Sequence, residues 1–200
     1  MRYSGVFGGV FCLIVLTAVA ALAAAPVLLR DDFTAATSAG RRSLRGDWTF
    51  AGGVASCTQD DELYKKHKNH GPIIFYDLPF DDATVTFAFK AERAKAVVFT
   101  ANGQDGHIFR VSWGPRGTAV RGFPPGVKDN PISVGQNEQP LEQGVWVPVR
   151  VTLKGPQATV QVGNAAPQVY EHASFARPKT NISVGFSFGS LDVKELSVAP

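Results

Sequence analysis

The chain has 200 residues, with 20 Lys or Arg against 17 Asp or Glu, so its formal net charge is only +3. This length suits one domain preceded by a short leader. A nearly neutral chain has no overall field that would recruit nucleic acid, and we predict no nucleic-acid partner.

The first 25 residues have the pattern of a secretory signal peptide. Arg2 precedes an apolar run from Val6 to Ala25, which contains Ala21-Leu22-Ala23. Signal peptidase recognises a basic start, an apolar middle and an Ala-x-Ala end. We predict that residues 1–23 are removed and that the product is secreted or periplasmic (cell envelope), with no stable membrane insertion. The alternative is an uncleaved anchor, because the run approaches the roughly 20 residues that cross a bilayer.

Cysteine usage indicates that no internal disulfide holds the fold. The chain has 2 cysteines, and Cys12 lies in the predicted leader. Cys57 follows the apolar residues Val54 and Ala55. We therefore predict that Cys57 is a small buried side chain rather than a nucleophile.

Period-two alternation of apolar residues dominates the rest of the chain. It recurs over residues 84–90, 107–113 (with His107, Phe109, Val111 and Trp113 in phase), 145–154, 182–188 and 191–198. Residues 102–106, 154–156 and 163–165 carry the Gly, Asn and Asp of tight turns. The pattern predicts an all-β domain over residues 24–200, built as a two-sheet antiparallel β-sandwich.

Two segments interrupt this rhythm. Residues 60–72 are rich in Lys and His, and residues 60–67 have the acidic start and basic end of a short helix. Residues 114–144 are rich in Gly, Pro, Asn and Gln, and we expect them to be irregular. Either segment is a binding loop or a solvated spacer.

The order of the core and turn residues resembles one known family. The stretches that carry the resemblance are residues 28–33, 46–54, 84–92, 97–101, 107–113, 144–153, 158–162 and 193–198. They are similar to the 3-keto-disaccharide hydrolase domain family of the concanavalin A-like lectin/glucanase superfamily. The resemblance implies a concanavalin A-like jelly roll and a carbohydrate partner. The carboxylates and the Asn-Ser-Gly turn typical of that family are absent or displaced here, so its catalysis is not carried over.

Other catalytic and metal-binding patterns do not emerge from the sequence. Glycosidases on this fold need carboxylates at alternate positions of one strand, whereas Asp60, Asp61 and Glu62 are consecutive. His67 and His70 lie in a basic loop that repels cations. We predict no metal and no cofactor; the catalytic residues stay unknown, and the sequence leaves open whether the domain is an enzyme.

A polar stripe is the best candidate for a binding site. Side chains alternate between the two faces along a strand. If Phe87, Phe89, Phe99, Phe109 and Val111 face the core, then Lys90, Thr100, Arg110 and Ser112 lie on the outer face of adjacent strands. In the superfamily that this chain resembles, sugars bind on an outer, concave sheet face. The predicted substrate-binding residues are Lys90, Thr100, Arg110, Ser112 and Trp146. Trp48 is a second candidate for stacking on a sugar ring, and ordinary solvent-facing residues are the alternative.

Three functions are compatible with these observations. The first is an exported carbohydrate-interacting domain, with glycoside hydrolysis as one form of it. The second is a non-enzymatic structural or protein-binding envelope protein. The third is adhesion to polyanions through the basic side chains of Lys65, Lys66, Lys68, Arg116, Arg121 and Lys128.

Overall fold

The computed structural model describes Met1 and residues 26–126 and 130–200. The predicted signal peptide, apart from Met1, lies outside the described residues, as do Cys12 and Lys128.

The described residues form fifteen strands, one short α-helix and one 3-10 turn. The strands are β1 (Leu29–Asp31), β2 (Arg41–Leu44), β3 (Thr49–Ala51), β4 (Val54–Thr58), β5 (Ile73–Phe80), β6 (Ala83–Glu92), β7 (Ala96–Gly103), β8 (Gly106–Gly114), β9 (Gly117–Gly122), β10 (Ile132–Asn137), β11 (Trp146–Lys154), β12 (Gln157–Val162), β13 (Gln168–Glu171), β14 (Lys179–Ser187) and β15 (Ser190–Ala199). The helix α1 spans Asp61–Lys66, and the 3-10 turn spans Ala173–Ala176.

The strands pair into two antiparallel sheets. Sheet A has the order β13-β12-β11-β6-β15-β4-β3, with β1 paired to β15. Sheet B has the order β10-β9-β8-β7-β14-β5-β2. Both sheets combine strands from distant parts of the chain, so neither half of the sequence forms a sheet alone. The predicted two-sheet antiparallel sandwich is confirmed.

One hydrophobic core lies between the sheets. The ring centroids of Phe87 in sheet A and Phe99 in sheet B are 5.9 Å apart, and those of Phe89 and Trp113 are 5.7 Å apart. Fully burying a large apolar side chain contributes roughly 1.5–3 kcal/mol. The prediction that these phenylalanines face the interior is confirmed, and Trp113 is part of the same core.

The segment 114–144 is more regular than predicted. It holds β9 and β10, which pair with each other at the edge of sheet B. Only three residues of β9 are buried, and none of β10 is. The buried positions of β9 are Thr118, Val120 and Gly122, only one of which is a large apolar residue, and the edge strand β10 buries none. Apolar alternation is therefore weak in both strands, which is why the sequence pattern did not reveal them.

The predicted alternation runs to residue 188, but strand β14 ends at Ser187. Phe188 follows β14 in a turn, with a φ of 65°, and its ring centroid is 5.2 Å from that of Tyr64. Phe188 therefore packs against α1 rather than between the sheets.

The helical turn predicted in residues 60–67 is confirmed as α1. The Asp60 carboxylate caps it by accepting a hydrogen bond from the Leu63 backbone N–H at 2.7 Å. In the part of the chain that the structure describes, no helix is long and apolar enough to cross a bilayer.

Cys57 is buried in the core, as predicted. Burial raises the pKa of its thiol from 9.0 to about 12, and the nearby Asp47 charge acts in the same direction. A thiol that stays protonated in this way is a poor nucleophile.

Candidate functional site

The five predicted binding residues lie on two different sheets. Thr100 on β7 and Arg110 and Ser112 on β8 belong to sheet B, whereas Lys90 on β6 and Trp146 on β11 belong to sheet A. The expectation that Lys90 lies on a strand adjacent to the others is therefore corrected. Alternation separates inward from outward side chains, but it does not tell which sheet a strand joins. Ligand binding by these residues stays a prediction.

Lys90 and Trp146 face each other across β6 and β11. The Lys90 ammonium pairs with Asp192, with Nζ 3.1 Å from Oδ2, and lies 5.6 Å from the Trp146 ring centroid. Lys194 Nζ is 4.7 Å from the same centroid. The Lys90 ammonium thus has an ion-pair partner within the protein, and two lysines flank the aromatic ring.

Trp48, the second candidate for stacking, belongs to the margin of the core. Its ring meets that of Phe186 edge-on, with centroids 5.9 Å apart, and it is only partly exposed. We therefore leave Trp48 out of the candidate site.

Sheet B carries one row of outward-facing residues that oppose each other on successive strands. In order from β2 to β10, this cross-strand row consists of Arg42, Phe75, Ser183, Thr100, Arg110, Arg121 and Ser133. Directly opposed residues in an antiparallel pair have Cβ atoms about 5 Å apart. The row therefore forms a continuous band of polar and aromatic side chains perpendicular to the strands.

A groove of about 460 Å³ lies along the central part of this row. Strands β5, β7, β8, β9 and β14 line it together with α1 and the loop that follows. The lining includes Phe75, Ser183, Thr100, Arg110, Arg121, Ser112, His107, Arg45, Tyr64, Asn69 and His70. Beyond Ser112 and Arg121 the surface continues into a wider depression of about 870 Å³. The three predicted residues of sheet B thus share one groove, and the segment 60–72 contributes to its lining.

The loop after α1 is seated tightly on β14. Gly71 lies so close to the Phe186 carbonyl group that any Cβ at this position would clash with it. Glycine is the residue that permits such a close approach of two backbones. This contact holds Asn69 and His70 beside the strands.

A β-bulge in β8 directs His107 into the groove. Asn102 pairs with His107 and Ala101 pairs with Phe109, so Ile108 has no opposite residue. Ile108 is buried, and its carbonyl accepts hydrogen bonds from Ser174 Oγ at 3.1 Å and from the Phe123 N–H at 3.2 Å. The predicted phase placed His107 with Phe109 on the inner face. The extra residue, Ile108, turns His107 to the outer face, because a one-residue shift exchanges the two faces of a strand.

His107 and Arg110 belong to a chain of hydrogen bonds with a defined direction. Arg110 NH2 is 2.6 Å from His107 Nε2, and His107 Nδ1 is 2.6 Å from Asn102 Oδ1. Arginine has no acceptor, so His107 Nε2 accepts and Nδ1 carries the proton that it donates to Asn102. The Asn102 amide in turn donates to Asn181 Oδ1 at 2.7 Å. These contacts orient the Arg110 side chain.

Further contacts hold the Arg110 side chain in place. Its Nε lies 3.4 Å from Thr100 Oγ1, and its guanidinium carbon is 5.2 Å from the Phe123 ring centroid. A donor group whose rotamer is held in this way loses little entropy on binding a ligand.

Phe75 is the aromatic residue that sequence reasoning missed. It faces outward from β5, is partly exposed and lines the groove. The Arg42 guanidinium lies 5.0 Å from its ring centroid and is held by Asp77 through hydrogen bonds of 2.6 and 2.7 Å. These hydrogen bonds lower the pKa of Asp77. The run Ile73-Ile74-Phe75-Tyr76 is apolar on both faces, so no alternation marked Phe75 as outward.

The groove is lined by basic groups. Among the described residues, its lining contains Arg45, His70, His107, Arg110 and Arg121 and no carboxylate. Arg45 and Arg121 form no ion pair with any described residue. Within the described ranges no group of His, Cys, Asp or Glu is arranged to hold a metal ion. The groove therefore offers hydrogen-bond donors together with the partly exposed rings of Phe75 and Tyr64.

No protein-family model and no curated protein matches this sequence. The resemblance to the 3-keto-disaccharide hydrolase family therefore stays a prediction.

Solved structures share the fold at low sequence identity. A carbohydrate-binding module, CBM66 from Bacillus subtilis, has a TM-score of 0.60 and 9% identity, covering 81% of this chain and 96% of that one. A sialidase has a TM-score of 0.59 and 9% identity over 88% of this chain, but the match spans only 18% of the sialidase. Congerin II bound to lactose and MES has a TM-score of 0.52 and 9% identity over 61% of this chain and 95% of that one. At such identities the comparison defines a class, the lectin-type β-sandwich fold.

Proposed function

We propose that this chain is an exported carbohydrate-binding protein whose ligand lies in the groove on the outer face of sheet B. The observation that carries the proposal is that one groove holds the partly exposed Phe75 ring and, farther along the same cross-strand row, the oriented donor groups of Arg110. Sugar sites typically combine an aromatic face with a few oriented polar groups. The proposal includes export, with residues 1–23 removed as the signal peptide.

The fold comparison supports this proposal by analogy. The similar structures include a carbohydrate-binding module and a congerin with bound lactose. Fold alone does not define function, so the groove carries the proposal.

Binding without hydrolysis is the form of the function that we favour. Most glycoside hydrolases flank the scissile bond with two carboxylic acids. The lining of the groove, as far as the structure describes it, offers none. Release of reducing sugar from ordinary or 3-keto disaccharides by the purified protein would overturn this choice.

A matched pair of aromatic substitutions tests the location of the site. Phe75→Ala removes the aromatic ring of the cross-strand row in the groove, and Trp146→Ala removes a partly exposed ring from the outer face of sheet A. After a glycan array identifies a ligand, we expect Phe75→Ala to weaken its binding at least tenfold, about 1.4 kcal/mol. Trp146→Ala should change affinity less than twofold. The reverse pattern would move the site to sheet A, and a blank array on folded protein would favour the structural or protein-binding alternative.

A further inference from the structure

The cross-strand row places two arginines directly opposite each other. Arg110 on β8 pairs in register with Arg121 on β9, and both side chains line the groove. Like charges in directly opposed positions of a sheet repel each other and destabilise the pair. A bound anion between or beside them would convert this repulsion into attraction.

The two arginines differ in how they are held. The contacts of Arg110 with His107, Thr100 and Phe123 orient its side chain. Arg121 is exposed and has no ion-pair partner among the residues that the structure describes. One guanidinium is thus preorganised, and the other is available to close on a ligand.

A third arginine stands at the opposite end of the groove. Arg45 follows β2, lines the groove and forms no ion pair in the described part of the chain. Its φ of 64° is a conformation that glycine adopts more readily, yet the position holds a basic residue. Five inter-strand spacings separate β9 from β2, which is about 24 Å. The positive groups therefore bracket an elongated groove rather than a single point.

We propose that the groove selects acidic oligosaccharides whose sugar rings carry carboxylates, such as oligomers of uronic acids. This inference rests on the proposed function and names its ligand class. The planar guanidinium group matches a carboxylate with two parallel hydrogen bonds, and Phe75 supplies a face for a sugar ring in the same row. An acidic oligomer lying across the strands would reach Phe75, the Arg110–Arg121 pair and Arg45.

A matched pair of ligands tests whether the groove recognises the carboxylates. We would titrate the protein by calorimetry with oligogalacturonate and with the same oligomer after full methyl esterification, which removes the charge and keeps the backbone. We would also titrate acidic oligomers that contain glucuronate or mannuronate, and neutral oligosaccharides of the same length. We expect at least one acidic oligomer to bind, and its methyl ester to bind at least tenfold more weakly.

Three variants locate the effect. Arg121→Gln and Arg45→Gly each remove one charge from the groove, and glycine suits the backbone at position 45. Arg150→Gln removes a charge from an exposed position on the outer face of sheet A. We expect the first two to weaken acidic-oligomer binding at least fivefold and the third to change it less than twofold, with unchanged circular dichroism spectra.

The contrary outcomes are distinguishable. Equal affinity for acidic and esterified oligomers, or binding of neutral glycans alone, would overturn the carboxylate inference and leave the proposed function in place. Equal losses in Arg121→Gln and Arg150→Gln, with comparable binding of dextran sulfate, would show unspecific attraction of polyanions and overturn it as well. No binding of any glycan by folded protein would remove both proposals.

Discussion

Tyr76 donates its phenolic hydrogen to Asp31 Oδ2 at 2.8 Å, across the space between the two sheets. Arg41 NH1 donates to the same oxygen at 2.8 Å, and Asp31 Oδ1 accepts from the Phe33 N–H at 3.0 Å. Burial raises the pKa of Tyr76, and the Asp31 charge adds to that effect. Asp31 is on β1 of sheet A, while Arg41 and Tyr76 are on strands of sheet B. This cluster thus ties the described N-terminal strand to both sheets.

Asp31→Asn should destabilise the protein by about 3–5 kcal/mol, because it leaves the buried Arg41 guanidinium without its counterion. The side chains of Arg41 and Asp31 are only 2% and 5% exposed. Tyr76→Phe should cost less, about 2 kcal/mol, because it removes one hydrogen bond and keeps the ion pair. Urea unfolding monitored by fluorescence measures both.

The adjacent arginine provides the control. Arg42 pairs with Asp77 at 2.6 Å, but these side chains are 47% and 50% exposed. Asp77→Asn should therefore change stability by no more than about 1 kcal/mol. Equal losses for Asp31→Asn and Asp77→Asn would contradict the argument from burial.

Alkaline pH should destabilise the fold in a manner that depends on Cys57. The unfolded thiol loses its proton near pH 9.0, whereas the folded thiol keeps it until about 12. The folded state then binds more protons in this window, so stability present below pH 9 is lost as pH rises towards 12. The contribution is about 1.4 kcal/mol per pH unit.

Unfolding curves at pH 8, 9 and 10 for the native sequence and Cys57→Ala measure this effect. Because Tyr76 also has a raised pKa, the variant should keep part of the alkaline loss above pH 10. Parallel stability profiles for the two proteins between pH 9 and 10 would refute the assignment to Cys57.

His107 should act as a positioning residue for Arg110. His107→Ala removes the acceptor of the Arg110 hydrogen bond, and we expect ligand affinity to fall about threefold to tenfold. The substitution also leaves the buried Asn102 Oδ1 without its donor, so stability should fall by about 1–3 kcal/mol.

The conservative variant separates positioning from structure. His107→Gln retains an oxygen that accepts from Arg110, and part of the lost affinity should return. If the alanine and glutamine variants bind alike, the positioning role is wrong.

Gly71→Ala should destabilise the protein by about 1–3 kcal/mol, because the added Cβ overlaps the Phe186 carbonyl and must displace the loop or β14. Gly114→Ala is the control, since its nearest contact would be the Lys95 carbonyl oxygen at an ordinary 3.4 Å. Thermal unfolding compares the two. Equal tolerance of both substitutions would contradict the close contact between Gly71 and the Phe186 carbonyl.

The two-sheet sandwich was predictable because its core strands obey a simple rule. Along each of these strands an apolar residue recurs at every second position. The residues in that phase, such as Phe87, Phe99 and Val111, are buried between the sheets. The same rule failed where a strand buries little, as in β10, or is apolar on both faces, as around Phe75. Local burial therefore decided which elements the sequence revealed.

The candidate site was only partly predictable. Thr100, Arg110 and Ser112 were correctly expected to face outward, and the structure brings them into one groove. Lys90 also faces outward but lies on the other sheet, because β6 pairs with β11 and β15.

By itself, the sequence determined the class of the fold and the outward face of most strand residues, since both follow from the two-residue period of an extended chain. Only the tertiary structure decided which strands pair, that the bulge at Ile108 turns His107 outward, and that Arg45 reaches the same groove as Arg121. Those relationships join residues far apart in the chain. They depend on hydrogen bonds and packing between strands, which no local pattern encodes.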